Sequence, residues 1–184
     1  MRTFMHRVSL GVALLGLSAA SQAAEWVLEP GSQVTFEYSY GTDPYEGRFT
    51  NVQANFDIDP MRPTSCKFDV TINIEDIEVD SPEVLDYLLD YELFDVDTWP
   101  TATFSAKSCR LTGVNTFESD GTLTIRDQTN PMTFPFELNI ETCDGQVCFH
   151  MTSEVEILRL EYGVGQGYCC LLYTSPSPRD STLS

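Results

Sequence analysis

The segment from residue 66 to residue 75 alternates without interruption between apolar and polar side chains. Phe68, Val70 and Ile72 fall on one parity, whereas Asp69 and Thr71 fall on the other. A period of two is typical of a β-strand with one dry and one wet face. The pattern recurs along the chain and predicts strands at about residues 32–40, 46–58, 66–77, 101–110, 116–126, 131–142 and 147–159. We therefore predict an all-β protein whose sheet has one apolar face.

The connections between the predicted strands indicate how they pair. Most of them are short, and parallel neighbours need long crossovers, so an antiparallel up-and-down barrel or sandwich is expected. One helix interrupts the series, with Ser81 as its N-cap, Pro82 at its first position and Leu88 on its apolar side. That apolar side has to lie on the sheet or across its open end.

The N-terminal segment has the features of a secretory signal. Arg2 and Arg7 precede an uncharged run at residues 8–20, and Ser21 and Ala23 are small residues at the positions before a cleavage site. The run is shorter than the roughly 20 apolar residues that span a bilayer. We expect residues 1–23 to be a cleaved signal, and the mature protein to be periplasmic or secreted and not membrane-spanning.

The C-terminal segment differs in kind from the rest of the chain. Residues 170–180 read Cys-Leu-Leu-Tyr-Thr-Ser-Pro-Ser-Pro-Arg-Asp, which is the in-frame translation of a transposase-based sequencing-library adapter. This run has no periodicity and no core pattern. We expect residues 169–184 to be a sequencing artefact, so that residues 24–168 form the domain and its natural C-terminus is missing.

The charge of the chain restricts its partners. The sequence contains 28 acidic and 10 basic residues, which gives a formal net charge of −18. Such a field repels nucleic acid and anionic membrane surfaces. Because the acidic residues are scattered and form no single block, a solvated surface is favoured over an acidic docking site.

Four cysteines lie in the proposed domain, and an exported chain reaches an oxidising compartment, where an even number favours disulfides. Cys143 and Cys148 flank a glycine-containing turn and share the outward parity, which favours a bridge between them. Cys66 and Cys109 then pair by elimination. Their parities disagree, so this second bridge requires a β-bulge near Ser108.

The sequence gives little support for a metal or a catalytic site. The only histidine of the proposed domain, His150, has outward parity, and no C-x-x-C pair exists. The inward positions carry almost no ionisable groups, although acid and base catalysis would need them there. We expect no metal, no cofactor and no enzymatic activity.

Four segments carry a resemblance to a known family, and the second and third are the specific ones. They are Gly47-Arg48-Phe49 with Ile58-Asp59-Pro60; Val79-Asp80 through Leu88 to Phe94-Asp95-Val96 and Pro100-Thr101-Ala102-Thr103-Phe104; Gly121-Thr122-Leu123-Thr124-Ile125-Arg126 with Thr129-Asn130-Pro131; and Arg159 to Tyr162-Gly163-Val164. Together they resemble the YceI family of exported lipocalin-like proteins. The resemblance covers nearly all of residues 24–168.

This resemblance implies an eight-stranded antiparallel barrel with one short helix. It also implies a long apolar tunnel that binds a polyisoprenoid or the tail of an isoprenoid quinone, without catalysis. Two features depart from the family pattern. Asp127 replaces a usual glycine, which leaves the register near residues 127–130 open, and the last strand after the Arg159 motif is missing. We expect a gap between the strands at about residues 34–38 and 155–159, with residues 170–184 irregular or occupying it only poorly.

The expected ligand-binding residues are inward apolar side chains and three arginines. The apolar candidates are Phe36, Phe56, Phe68, Val70, Ile72, Leu88, Phe104, Ile125, Phe134, Phe136, Leu138 and Ile157. Arg48, Arg126 and Arg159 fall in the motif segments and are candidates for binding a head group at the mouth. The function predicted is that of a periplasmic carrier for an isoprenoid amphiphile. The alternative is a β-rich envelope interaction module with a packed, ligand-free core.

Overall fold

The structure is a computed structural model that describes residues 25–26, 32, 34–40, 43–59, 62, 64–143, 145–166 and 182–183. The elements within this part of the chain are mostly strands. They are β1 (Glu25–Trp26), β2 (Val34–Tyr40), β3 (Asp43–Phe49), β4 (Val52–Ile58), β5 (Cys66–Asn73), β6 (Ile77–Glu78), α1 (Pro82–Leu89), β7 (Thr101–Leu111), β8 (Thr116–Ile125), β9 (Gln128–Cys143), β10 (Gln146–Thr152), β11 (Val155–Glu156) and β12 (Thr182–Leu183).

The strands form two curled antiparallel sheets. One sheet has the order β1-β4-β5-β7-β8-β9-β10, and the other has the order β11-β12-β2-β3-β6. The prediction of an antiparallel all-β fold with one helix is confirmed. Helix α1 begins as expected, with the Ser81 hydroxyl accepting a hydrogen bond from the Val84 N–H at 3.4 Å and with Pro82 at its start.

The strands expected to border a gap are bridged in the second sheet. The two-residue strand β12 pairs with β2 through Thr182 and Leu183, and it pairs with β11 through the same residues. Residues 1–23 and 169–181, which include most of the expected signal and adapter segments, lie outside the described residues. Their assignment stays a prediction.

Two predicted strands are wrong in their boundaries, and one corner explains both errors. The segment 46–58 is not one strand, because β3 ends at Phe49 in one sheet and β4 begins at Val52 in the other. The segment 66–77 likewise ends its strand at Asn73 and turns through a short 3-10 helix, Ile74–Asp76. The chain thus changes sheets twice at neighbouring places.

Asp76 holds this corner together. Its carbonyl oxygen accepts from the Thr50 N–H at 3.1 Å and from the Thr50 hydroxyl at 2.8 Å. Its carboxylate oxygen Oδ2 accepts from the side-chain amides of Asn51 at 2.8 Å and Asn73 at 2.7 Å. Because a carboxylate has several acceptor positions, one side chain satisfies both turns. Ile74 beside it is fully buried in the core.

The other boundaries differ by shorter amounts. Strand β9 begins at Gln128, so Arg126 and Asp127 form a two-residue turn with Ile125 opposite Gln128, which fixes the register that the sequence left open. The predicted strand at 147–159 is interrupted, because β10 ends at Thr152 and β11 covers only Val155–Glu156. Ile140 shares the parity of the buried Leu138 but is exposed, because it lies past the Thr116 end of β8.

Two glycines are required by close packing across the sheets. A Cβ atom on Gly121 would lie 2.8 Å from the Ala106 Cβ and 2.9 Å from the Phe104 ring. Gly47 pairs with Phe36 across β2 and β3, and a Cβ there would overlap the Phe36 ring. Both glycines let a large aromatic ring lie flat over the neighbouring strand.

The disulfide predicted by elimination is present. Cys66 and Cys109 are bonded, with a Cα–Cα distance of 5.6 Å. The pairing of β7 with β8 shifts between Ala106 and Cys109, which is the bulge that the parity conflict required. The bulge leaves the Ser108 carbonyl free of the ladder, and the buried Ser119 hydroxyl donates to it at 2.9 Å.

The second predicted disulfide is tested only in part. Cys148 is disulfide-bonded. Cys143 lies in β9, opposite Gln146, but its side chain is outside the described part of the structure. The pairing of these two residues therefore stays a prediction.

The corner predicts a stability test. Replacing Asp76→Ala removes the acceptor of two side-chain amides, so we expect the free energy of unfolding to fall by about 2 kcal/mol. Glu75→Ala is the matched control, because Glu75 is exposed in the same turn, and its effect should stay within about 0.5 kcal/mol. Urea unfolding followed by tryptophan fluorescence measures both changes. Equal stability of the two variants would contradict the role given to Asp76.

Candidate functional site

The structure brings all the predicted apolar site residues into one cluster. Seven are buried in it: Phe36, Phe68, Phe104, Ile125, Phe136, Leu138 and Ile157. The other five pack against it and remain partly exposed: Phe56, Val70, Ile72, Leu88 and Phe134. The cluster lies on the inner face of the seven-stranded sheet and is covered in part by the second sheet and by the apolar side of α1.

Phenylalanine rings form a continuous series through this interior. The Phe68 ring lies 5.2 Å from the Phe56 ring and 5.3 Å from the Phe136 ring, measured between centroids. Phe136 in turn stacks on Phe117 at 5.3 Å and lies 5.9 Å from Phe134. These separations are those of favourable aromatic pairs. The interior is thus a ribbon of aromatic surface and not a set of isolated side chains.

One end of the sheet is closed by three segments that Arg126 ties together. We call it the arginine end, defined by residues 90–99, 126–127 and 159–166. Nη1 of Arg126 donates to the carbonyl oxygens of Leu93 at 2.9 Å and Gly163 at 2.7 Å. The guanidinium lies 4.8 Å from the centroid of the Trp99 ring and 3.8 Å from the Asp95 carboxylate. Its Nε is buried and has no hydrogen-bond partner.

The backbone at Arg126 is strained to make these contacts. Its φ of 55° lies in the left-handed region, which costs roughly 1–2 kcal/mol for a residue with a Cβ. The contacts of the guanidinium offset this strain, because hydrogen bonds from a charged donor contribute roughly 1.5–3 kcal/mol each.

Arg159 serves the same end of the molecule. Its Nη1 donates to the carbonyl oxygens of Val164 at 2.9 Å and Gly165 at 3.4 Å. Gly165 has a φ of +76°, and a Cβ there would lie 3.0 Å from Leu93. A glycine is therefore required where this segment passes between Arg159 and Leu93.

Arg48 is placed differently from the other two arginines. It lies in β3, is exposed, and pairs with Glu78, with Nε 2.7 Å from Oε2. An exposed pair of this kind contributes roughly 0–1 kcal/mol. The structure thus groups Arg126 and Arg159 at one end and separates Arg48 from them. Whether any of the three binds a head group is not tested and stays a prediction.

The sequence did not point to two polar groups at the arginine end. Asn130 pairs with Leu123, on the inner face of β9, and its side-chain amide donates to the Glu161 carbonyl at 3.1 Å. Tyr162 is buried beside it, and burial followed by the nearby Glu161 charge raises the pKa of its phenol, against the effect of the Asn130 hydrogen bond. Both residues lie in the segments that resemble the family, and this resemblance was the one sequence feature that could have marked them as candidates.

Two further features of the described residues concern metal ions and membranes. No group of three or more His, Cys, Asp or Glu side chains is placed to hold a metal ion within the part of the chain that the structure describes. No helix of those same residues is long and apolar enough to cross a membrane.

Two surface clefts lie outside the buried part of the apolar cluster. One, of about 630 Å³, is at the turn between β7 and β8 and is lined by Leu111, Thr112, Gly113, Val114, Asn115 and Phe117. The other, of about 370 Å³, is lined by Glu83, Asp86, Tyr87, Asp90, Tyr91 and Glu92 on α1 and the turn after it. The first cleft includes Phe117, which belongs to the aromatic series.

The balance of strain and contacts at Arg126 predicts a difference between two variants. Arg126→Ala removes the hydrogen bonds and the Trp99 contact but keeps the strained backbone, so the free energy of unfolding should fall by about 2–4 kcal/mol. Arg126→Gly removes the same contacts and relieves the strain. It should be about 1 kcal/mol more stable than the alanine variant. Urea unfolding measures the stability of both variants. If Arg126→Gly is no more stable than Arg126→Ala, the backbone at this position is not strained.

Comparisons with known proteins agree on one family. The family model for the YceI-like domain matches residues 26–176 of this chain. A UPF0312 protein of Azotobacter vinelandii is 29% identical over 129 residues, which is 68% of this chain and 67% of that protein.

Two solved structures share the fold. BcnA of Burkholderia cenocepacia superposes with a TM-score of 0.68 at 22% identity, covering 82% of this chain and 91% of its own. A polyisoprenoid binding domain from Saccharophagus degradans, implicated in plant cell wall breakdown, has a TM-score of 0.58 at 17% identity, with coverages of 79% and 83%. The match over residues 26–176 shows that this chain belongs to the YceI-like family.

Proposed function

We propose that this protein binds the hydrocarbon chain of an isoprenoid amphiphile, such as a polyisoprenoid or an isoprenoid quinone, against the inner face of its seven-stranded sheet. In this proposal it acts in the periplasm as a carrier or sequestering protein and catalyses no reaction. The isoprenoid is its bound ligand and not a cofactor.

The observation that carries the proposal is the incomplete burial of the apolar cluster. Phe56, Val70, Ile72 and Phe134 are on the inner face but stay partly exposed. Apolar surface that remains in contact with water gains about 25 cal/mol per Å² when a ligand covers it. A long hydrocarbon chain that covers this strip would therefore bind without any polar contact along its length.

The ligand class is proposed from the chemistry of this strip. Its partly exposed side chains are aromatic and aliphatic, which suits a hydrocarbon chain. Each five-carbon isoprene unit would contribute about 3 kcal/mol if fully buried. The polyisoprenoid binding domain of Saccharophagus degradans has the same fold, and this likeness supports the choice of an isoprenoid chain over other hydrocarbons.

The absence of catalysis is proposed from the chemistry of the interior. Among the described residues, the buried side chains with a polar group include Ser119, whose hydroxyl already donates to the Ser108 carbonyl, and Tyr162, whose phenol lies beside Asn130 at the arginine end. General acid and base chemistry needs an ionisable group that faces the substrate. The periplasmic location is proposed from the signal-like N-terminus and agrees with the Cys66–Cys109 disulfide.

A specific observation supports a second candidate function. Phe68 is fully buried between Phe56 and Phe136, so the centre of the cluster is filled by the protein's own side chains. A β-rich envelope interaction module with a packed, ligand-free core would have this arrangement. The two candidates differ in one respect, because the module would show no saturable binding of a prenyl chain.

A reciprocal pair of isosteric substitutions tests the carrier proposal. Val70→Thr places a hydroxyl on the inner face of β5, where a bound hydrocarbon would leave it without a partner. We expect the Kd for a fluorescent geranylgeranyl probe to rise about fivefold to tenfold. Thr71→Val makes the opposite change on the outer face of the same strand and should leave the Kd unchanged. Equal effects of the two substitutions, or no saturable binding by the unsubstituted protein, would contradict the proposal.

A further inference from the structure

The end of the sheet opposite the arginine end carries an exposed apolar surface. Strand β8 runs from Thr116 to Ile125, so the β7–β8 turn and the Arg126 turn lie at its two ends. We use the term lip for Leu111, Val114, Phe117 and Ile140, which lie at or beyond the β7–β8 turn. Leu111 is 58% exposed, Val114 is 91% exposed and Ile140 is 60% exposed.

The lip belongs to the inner face of the sheet. Leu111 pairs with Phe117 two residues beyond the buried pair of Cys109 and Ser119, so both point inward. Strand β9 continues past the turn, where its Leu138 N–H donates to the Asn115 carbonyl at 2.9 Å. Ile140 follows on the same side of β9, because side chains alternate along a strand.

The lip is also continuous with the apolar interior. The Phe117 ring stacks on the Phe136 ring at 5.3 Å, and the Phe136 ring contacts the Phe68 ring at 5.3 Å. Apolar side chains thus run without a break from the 630 Å³ cleft, which Phe117 lines, to the filled centre of the cluster. Among the described residues, the arginine end is instead held together by Arg126 and Arg159, whose guanidinium groups bind the carbonyl oxygens of Leu93, Gly163 and Val164.

We propose that the lip is the portal through which the hydrocarbon chain of the ligand enters and leaves, while the arginine end stays shut. This inference rests on the function proposed above. Leu111, Val114 and Ile140 would cover the chain as it leaves water and would lie outside the space that holds it once bound, whereas Phe117 would join the portal to that space. The three outer residues would therefore stabilise the transition state for transfer and not the bound state.

Two double variants test the portal. Leu111→Asn with Ile140→Asn makes the lip polar, and both residues are exposed, so the fold should be kept. Leu158→Asn with Leu160→Asn is the matched control at the arginine end, where these side chains are 55% and 49% exposed. Val114→Asn is a second lip variant at a position with almost no packing. Urea midpoints equal to that of the unsubstituted protein confirm that each variant folds.

Stopped-flow mixing with the fluorescent geranylgeranyl probe, and its displacement by unlabelled geranylgeraniol, give the association and dissociation rates. We expect the double lip variant to lower both rates about tenfold and to leave the Kd unchanged. Val114→Asn should slow both rates by a smaller factor, and the control variant should match the unsubstituted protein.

Several outcomes would overturn the portal. Slower exchange in the control variant, or unchanged exchange in both lip variants, would place the entrance elsewhere. A changed Kd in the lip variants would make the lip part of the binding site. Conversion of a dimer to a monomer by the lip substitutions would make it an interface between copies. In each of these cases the unsubstituted protein still binds the probe, whereas failure of the proposed function would abolish that binding.

Discussion

The enclosure of the apolar face depends on the corner that Asp76 organises. Without this corner, β3 with β4 and β5 with β6 would run on as long strands in one flat sheet, and the inner face would remain open to water. The hydrogen bonds from Thr50, Asn51 and Asn73 satisfy the backbone and side-chain groups at the point where the chain leaves one sheet for the other. These groups are exposed or partly buried, and their hydrogen bonds fix the direction in which the chain bends. The second sheet can therefore turn back over Phe68 and its neighbours.

The two ends of the sheet are built on different principles. At the arginine end, a guanidinium group binds the carbonyl oxygens of Leu93 and Gly163, and thus joins segments that are far apart in the sequence. Arginine suits this role because its planar group offers several donors and an aromatic stacking face, here that of Trp99. At the other end, Leu111 and Ile140 remain in contact with water. The proposed portal rests on this difference between the two ends.

The sequence was sufficient for the parts of the fold that depend on local periodicity. Alternation predicted the inner face correctly for β5, β7 and β8, and the parity conflict between Cys66 and Cys109 predicted both a disulfide and a bulge. Alternation failed where a strand ends because of a contact that is distant in the sequence. Nothing in the pattern of residues 46–58 shows that β3 ends where Thr50 donates hydrogen bonds to Asp76. The inward parity of Ile140 likewise does not show that β9 extends past the Thr116 end of β8.

The candidate site was predictable to a similar degree. The apolar residues could be assigned because parity and burial follow from the same alternation. The partners of Arg126 could not, because they come from two other segments that meet it only in the folded chain. Resemblance to a family marked Arg126 and Arg159 as important without showing that backbone carbonyls accept their hydrogen bonds.

The central claim is that the inner face of the seven-stranded sheet holds an isoprenoid chain. The most direct measurement is organic extraction of the protein, exported and purified without detergent, followed by quantitative mass spectrometry of the extract. The account predicts a prenyl lipid or prenylated quinone in an amount approaching one molecule per folded chain. An extract without such a lipid, from protein that also fails to take one up when it is supplied, would contradict the account and favour an interaction module with a packed core.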